Sequence, residues 1–312
     1  MNDTKSGKAA LSVETILTHH GRQPDDQFGF VNTPVYRGST VLFKTLDDMT
    51  GQKQRYLYGR AGNPTTESVE AVITELEGAH RTRLVPSGLA AITIAVLSCV
   101  KAGDDVLISD SAYEPGRSFA DGFLKRMGVS ARYYDPRIGA GISTLMQPNT
   151  AAVLAESPGS LTFEVQDIPA LAAAAHANGA RLIVDNSWAS PLYHQPLALG
   201  ADLVVHAGTK MFVGHSDAFA GTISTTEAAW PEVEGASAAG ARYCRLARGP
   251  GRGDAGAAPR PAQPSRPCPV QARLHRLGEP VQRHAGPCPA RGGGGLCRRA
   301  RYLHHGIFLG RL

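Results

Sequence analysis

The feature that most constrains the fold is a regular alternation of helical segments and short apolar strands, which begins near residue 65. The strands carry apolar residues on both faces, and segments with helical periodicity separate them. Strands buried on both faces are typical of a mostly parallel sheet covered by helices. We therefore predict an α/β fold, with strands at 105–109, 131–134, 152–156, 181–184, 203–205 and 220–224, and helices at 65–78, 88–101, 114–127 and 168–178.

Composition divides the chain into three regions. Residues 1–60 are loop-rich and polar, which is typical of an N-terminal arm, and residues 61–234 carry the alternating pattern. Residues 235–312 contain 14 Arg and no Lys, with only Asp254 and Glu279 as acids. Because the whole chain has a net charge of +5, its basic character comes from this last region. We therefore do not interpret the charge as nucleic-acid binding, despite the usual association.

The last region, 235–312, has no hydrophobic periodicity and is rich in Ala, Arg, Gly and Pro. The codons of these residues have G or C at their first two positions, so a GC-rich gene read out of frame yields the same mixture. We predict a frame slip near Gly235 and a disordered segment in place of a small C-terminal domain. A genuine basic linker is the alternative, and the coding DNA distinguishes the two. The four cysteines of residues 235–312 form no CxxC pair, so we expect no metal site there.

The first 234 residues carry no sign of export or membrane insertion. The opening residues 1–8 are polar, and the longest apolar run, 90–100, is too short to span a bilayer. Cys99 is the single cysteine before residue 235, so a disulfide framework is not expected there. These features predict a cytoplasmic protein.

Three reactive side chains follow predicted strands, where ligands bind in sheets of this kind. Lys210 stands among Gly, Thr and apolar residues, and a desolvated lysine can form a Schiff base. Asp185 ends a strand, where a carboxylate serves either as a helix cap or to hold a pyridinium nitrogen protonated. Tyr113 follows strand 105–109, and its ring is suited to packing or to stacking on another ring.

Two further segments suggest phosphate binding. Ser87, Gly88 and Leu89 open a predicted helix, and the free N–H groups of a helix N-terminus attract phosphate. Tyr58 and Arg60 add a phenol and a guanidinium, both good phosphate partners. Each segment alone is more typical of a helix cap or of ordinary surface.

Taken together, these motifs resemble the Cys/Met metabolism family of enzymes that depend on pyridoxal 5'-phosphate (PLP). The resemblance covers roughly residues 10–233. It implies a fold-type-I, aspartate-aminotransferase-like domain and PLP as cofactor. The matching segments, in order, are Tyr58–Thr65 (YGRAGNPT), Ser87-Gly88, Val184-Asp185-Asn186, and Thr209-Lys210 followed by Gly214–Asp217 (GHSD).

The resemblance implies a role for each site residue. Lys210 holds the cofactor aldehyde and later moves protons, Asp185 pairs with the pyridine nitrogen, and Tyr113 stacks on the ring and takes part in proton transfer. Tyr58 and Arg60 reach the phosphate of a neighbouring subunit, which implies a dimer of dimers. The phosphate is bound locally by Ser87, Gly88, Leu89 and Thr209.

Within the family, the segments 112–115, 156–160 and 186–189 resemble cystathionine β-lyases. This implies cleavage of L-cystathionine to homocysteine, pyruvate and ammonia, a step of methionine biosynthesis and transsulfuration. The alternatives are a γ-acting sibling, such as cystathionine γ-synthase or methionine γ-lyase, and a degenerate PLP-binding protein without catalysis. A nucleic-acid-binding extension is the remaining alternative for the basic region, and it predicts strongly salt-dependent binding.

The family pattern fails after residue 235. Family members continue into a domain that supplies an arginine clamp for the substrate carboxylate, and no motif in 235–312 assigns one. Loss of a bidentate clamp costs orientation as well as affinity. We therefore expect this chain to be inactive or nearly so. Ala207 stands where the family often has Ser, which removes one hydroxyl from the expected phosphate site.

Overall fold

A computed structural model describes residues 11–237. Seven strands form one sheet in the order β1-β7-β6-β5-β4-β2-β3. Strands β6, β5, β4, β2 and β3 pair in parallel, which confirms the mostly parallel sheet. The predicted frame slip and the predicted disordered segment in place of a small domain concern residues that lie mainly outside this range. The strands are β1 (Arg81–Val85), β2 (Asp105–Ser109), β3 (Ser130–Tyr134), β4 (Thr150–Glu156), β5 (Arg181–Asp185), β6 (Leu203–His206) and β7 (Gly221–Thr225).

Helices cover both faces of the sheet, at or near the predicted positions. One difference is that the helix expected at 114–127 has a π-helical turn, Ala120–Leu124, directly after α5. Short 3-10 helices lie at Pro24–Gln27, Gly139–Leu145 and Pro196–Leu199. The α-helices are α1 (Val13–His19), α2 (Leu46–Thr50), α3 (Pro64–Glu77), α4 (Gly88–Cys99), α5 (Glu114–Phe119), α6 (Ile168–Ala177) and α7 (Ser190–Tyr193).

The boundaries of α3 follow from local chemistry. Asn63 and Thr66 form a reciprocal capping box, and Pro64 occupies the first helical position. The helix ends at Gly78, which adopts the left-handed conformation with a φ of 61°. Glycine carries no steric penalty in that conformation, so it is the usual residue at this position.

The core consists of two apolar layers, one on each face of the sheet. Alternate residues of one strand enter different layers: Val106 and Ile108 pack on the α4 side, whereas Leu107 packs on the α6 side. In α4, Ala91 and Ala95 are fully buried, so the helix lies close to the strands. This two-sided burial is the physical reason for the apolar strand pattern.

Strand β1, at one edge of the sheet, was not predicted from the sequence. It carries Arg81 and Arg83, whose guanidinium groups lie over the Trp230 ring at 5.4 and 5.2 Å from its centroid. A run in which Arg81, Thr82 and Arg83 precede only two apolar residues does not indicate a buried strand. Because β7 runs antiparallel to both β1 and β6, β1 runs in the same direction as β6. The carboxyl end of β1 therefore lies at the same edge as those of the parallel strands.

The N-terminal segment 11–60 contains only short helices, joined by extended stretches. Arg55 attaches it to α3 through an ion pair with Glu67 (2.8 Å), and Tyr56 donates a hydrogen bond to the same carboxylate. No helix between residues 11 and 237 has both the length and the apolar character needed to cross a membrane.

The start of β7 meets the turn before α4 at very close range. A Cβ atom at Gly221 would lie 2.0 Å from the carbonyl oxygen of Ser87, far inside van der Waals contact. Only a glycine allows the two backbones to approach this closely. This contact fixes the beginning of α4 against the sheet.

Gly221→Ala should therefore reduce the free energy of unfolding by about 1–3 kcal/mol, the range for overpacking. Urea unfolding followed by circular dichroism measures this change. Gly122→Ala is the control, because a Cβ there meets nothing within 4 Å and the alanine also restricts the unfolded chain. Equal stability of the two variants would contradict the close contact at Gly221.

Candidate active site

A chain of short contacts joins three strand ends at one edge of the sheet. Gly88, which begins α4 after β1, packs against Ala207 after β6, where a Cβ on Gly88 would lie 2.5 Å from the Ala207 Cβ. The Ala207 N–H donates to Ser187 Oγ (2.6 Å), and the Ser187 N–H donates to Asp185 Oδ1 (2.9 Å). The start of α4 is thus tied to the Asp185 carboxylate at the end of β5.

Asp185 is buried, with 7% of its surface exposed. Burial raises the pKa of its carboxyl group, while the hydrogen bonds from Ser187 and the charge of His206 oppose the rise. His206 ends β6 and forms a buried ion pair with Glu77 of α3. A buried carboxylate at a strand end is suited to pairing with a cationic group of a ligand.

Glu156, at the end of β4, lies beside Asp185 in the parallel register. Its Oε2 accepts a hydrogen bond from the Tyr113 backbone N–H at 2.6 Å. Burial, with the neighbouring charge of Asp185, raises the pKa of the Glu156 carboxyl to about 8. From the sequence, Glu156 was recognised only as part of segment 156–160, although Glu156 ends a strand just as Asp185 does.

Lys210 lies four residues after β6, in the turn that follows Ala207. Its backbone N–H donates to the Ala207 carbonyl at 2.8 Å. Burial decreases along this turn, from Gly208, which is buried, to Lys210, which is exposed. In the part of the chain that the structure describes, Lys210 is thus exposed and its ammonium forms no ion pair. Its role in binding an aldehyde stays a prediction.

The start of α4 has the features of a phosphate cradle. Ser87 is the N-cap, and its Oγ accepts a hydrogen bond from the Ala90 N–H at 3.1 Å. The amides of Gly88 and Leu89 occupy the first helical positions, whose N–H groups have no partner within a helix. The Thr209 hydroxyl, predicted to join them, instead donates to the Ala220 carbonyl at 3.1 Å. It must rotate before it can bind a ligand.

The aromatic site residues occupy two places. Tyr113 precedes α5 and is half-exposed, with its backbone held by Glu156. Tyr58 lies in the N-terminal segment, with the Arg60 guanidinium 5.8 Å from its ring centroid. The adjoining Ala61 carbonyl accepts a hydrogen bond from Arg83 of β1. Tyr58 and Arg60 thus lie together, next to a segment that contacts β1.

An open groove of about 400 Å³ lies at the carboxyl ends of β2 and β3 and is lined mainly by polar residues. Two of its acids already have partners, since Asp110 pairs with Arg117 and Asp135 pairs with Arg137. Across residues 11–237, no cluster of three or more His, Cys, Asp and Glu side chains is suited to a metal ion. The strand-end site is the better candidate for chemistry.

The strand-end site fits the donor set that PLP requires. A helix start without a Cβ at Gly88 can approach a phosphate, and the buried Asp185 carboxylate can pair with a ring nitrogen. Lys210 follows β6, which lies between β7 and β5 in the sheet, and its backbone N–H binds the Ala207 carbonyl. The contacts through Ala207 and Ser187 join Gly88 to Asp185.

Comparison with known proteins gives a consistent picture. The model of the Cys/Met metabolism PLP-dependent enzyme family matches residues 14–249. A Rhizobium johnstonii protein provisionally named cystathionine β-lyase is 48% identical over 237 residues, which cover 76% of this chain and 60% of that protein. The cystathionine β-lyase of Haemophilus influenzae is 38% identical, with coverage of 71% and 58%.

A solved structure is similar as well. The crystal structure of cystathionine γ-lyase from Lactobacillus plantarum, complexed with L-serine, matches with a TM-score of 0.69 and 32% identity. The match covers 73% of this chain and 59% of that one. The chain therefore spans about three-fifths of the length of these proteins, and both β-lyases and a γ-lyase are among them.

The carboxyl pair generates a stability prediction. Since the folded-state pKa of Glu156 lies above its ordinary value of 4.5, the folded protein binds more protons than the unfolded chain between pH 4.5 and about 8. Stability should then fall as pH rises through this window. Glu156→Gln keeps a hydrogen-bond acceptor but cannot ionise. The melting temperature of Glu156→Gln should rise relative to that of the wild type between pH 5 and pH 8, by about 2–4 °C for each ~1 kcal/mol of stability that the wild type loses.

Thermal unfolding at several pH values measures this gain. Glu75→Gln makes the same chemical change at an exposed position of α3 and serves as the control. A constant difference between Glu156→Gln and the wild type across the window would contradict the raised pKa.

Proposed function

The chain belongs to the Cys/Met metabolism PLP-dependent enzyme family, and we propose that it carries the cofactor site of a carbon–sulfur β-lyase acting on L-cystathionine. The observation that carries this proposal is the contact path from Gly88 through Ala207 and Ser187 to Asp185. It joins a phosphate-binding helix start to a buried carboxylate. Lys210 follows Ala207 by three residues.

The roles of the site residues follow from their chemistry. When bound, PLP supplies an electron sink for the charge left on the substrate α-carbon. The Asp185 carboxylate would keep a proton on the ring nitrogen, and the Lys210 amine would hold the aldehyde and serve as the base for the α-proton. The Tyr113 ring would pack on the cofactor ring. Ser87, Gly88, Leu89 and, after its hydroxyl rotates, Thr209 would hold the phosphate.

We further propose that the site is completed by a second copy of the chain. Tyr58 and Arg60 lie together in the N-terminal segment, and a phenol and a guanidinium suit a phosphate. Their contribution to the phosphate of a neighbouring subunit would make the functional unit a homo-oligomer, with the dimer of dimers as the family expectation.

Two observations favour β-lyase over γ-lyase chemistry. The segments 112–115, 156–160 and 186–189 resemble the β-lyase pattern, and the β-lyases compared are 48% and 38% identical, against 35% for the cystathionine γ-lyase of Bacillus subtilis. Trp188, which the pattern includes, packs against Phe163 with ring centroids 5.1 Å apart. The proposed reaction converts L-cystathionine and water to homocysteine, pyruvate and ammonia.

Cofactor binding provides the first test. The full chain should bind PLP with a visible absorbance band that Lys210→Ala abolishes, because the lysine amine forms the bond to the aldehyde. Lys125→Ala removes an exposed lysine and should leave the band intact. A band that survives in Lys210→Ala and disappears in Lys125→Ala would contradict the assignment.

Product analysis provides the second test. With L-cystathionine, residual turnover should release pyruvate, at a rate at least 100-fold below the ~10 s⁻¹ that is common for enzymes, because no substrate-carboxylate arginine can be assigned. Mass spectrometry of the keto-acid products measures this. An excess of 2-oxobutyrate would instead identify a γ-acting enzyme, and ordinary turnover would contradict the expected impairment.

A further inference from the structure

One buried titratable group at the site has no role in the proposed function. Glu156 and Asp185 are register partners on adjacent parallel strands, so their side chains leave the same face of the sheet about 5 Å apart at the backbone. Both lie at the edge where the cofactor residues gather. Two carboxyl groups this close cannot both ionise without a large repulsion.

Glu156 also holds the residue proposed to lie against the cofactor ring. Its Oε2 accepts the Tyr113 N–H at 2.6 Å, across the boundary between β4 and the loop after β2. No side-chain cap stabilises the start of α5 at Tyr113. The Glu156 carboxyl therefore supplies the side-chain acceptor that fixes this backbone position.

The charged and titratable groups around the pair come from several elements. Asp185 on β5 is the immediate neighbour of Glu156, and its charge, together with burial, raises the pKa of the Glu156 carboxyl to about 8. The charge of His206 on β6 opposes the rise in the pKa of Asp185. The His206 ring is itself paired with Glu77 of α3. The Tyr113 phenol belongs to the loop that Glu156 binds. At neutral pH, the two strand-end carboxyls therefore hold a single negative charge.

We propose that Glu156 is a positioning residue of the cofactor site: it fixes the Tyr113 backbone and shares one negative charge with Asp185. The inference rests on the proposed function, since it assumes that Asp185 faces the pyridine nitrogen. While Glu156 is neutral, Asp185 alone carries the charge that pairs with a cationic ring. When Glu156 ionises, a second negative charge appears beside the same cation and strengthens its binding.

The test compares PLP dissociation constants of the full-length chain and its variants between pH 6.5 and pH 9. Glu156→Gln resembles the neutral form of Glu156, so it should match the wild type within about 2-fold at pH 6.5. At pH 9 it should bind PLP about 5- to 10-fold more weakly, because it cannot gain the second charge. The ratio of the two constants cancels every titration that the two proteins share, including those of Lys210 and the phosphate.

Glu70→Gln is the matched control. Glu70 of α3 is also a largely buried carboxyl that accepts a backbone N–H, from Leu84 at 2.8 Å, and burial raises its pKa too. Its ratio to the wild type should stay constant with pH. A ratio for Glu156→Gln that is equally constant would overturn the shared charge, because a purely structural role would produce that result.

A double-mutant cycle tests the link to Tyr113. At pH 6.5, where Glu156 is neutral, Glu156→Ala should weaken PLP binding about 10-fold by releasing the backbone of Tyr113, and the effect should largely disappear in a Tyr113→Ala background. Fully additive effects would overturn this part of the proposal. If Glu156→Ala does not fold, the pH-dependent ratio for Glu156→Gln still decides the charge.

A readout on the protein without cofactor separates this inference from the proposed function. Infrared spectroscopy at pH 7 should detect a protonated carboxyl group in the wild type that is lost in Glu156→Gln. Absence of this band in the wild type overturns the shared charge, even if PLP binds. Presence of the band with no PLP binding by the wild type overturns the proposed function and, with it, the role of Glu156 toward the cofactor.

Discussion

The site depends on the contact between two turns at the carboxyl edge of the sheet, where Gly88 meets Ala207. A single added carbon at Gly88 would lie 2.5 Å from the Ala207 Cβ, so the start of α4 and the segment leading to Lys210 are held at minimal separation. The antiparallel strand β7 makes this possible, since its pairing with β1 and β6 brings the end of β1 to the edge where the parallel strands end.

From that contact, the site extends as alternating backbone and side-chain hydrogen bonds. Ala207 binds Ser187, Ser187 binds Asp185, and Asp185 lies beside Glu156, which binds Tyr113. Each residue stands at or just beyond a strand end, so the register of the sheet sets its position. A shift of one strand by one residue would turn its side chains to the opposite face and interrupt the path.

The sequence predicts the inside of this domain better than its edges. Strand β2, with five buried residues between polar turns, was predicted at its observed bounds, because burial on both faces leaves a clear apolar run. Strand β1 was not predicted, because its Arg81 and Arg83 pack on Trp230, which lies far away in the sequence. Asp185 could be identified from its place after a strand and its family motif. Glu156 could not, because its significance depends on the register of β4 against β5, which no local pattern encodes.

The exposure of Lys210 could likewise not be predicted from the sequence, because it depends on which segments cover the turn rather than on the turn itself.

The central claim of the account is that Lys210 carries the cofactor. The most direct measurement is borohydride reduction of the PLP-treated full chain, followed by peptide mass spectrometry. The account predicts one phosphopyridoxyl group, located on Lys210. Labelling spread over other lysines, or no labelled peptide, would contradict it.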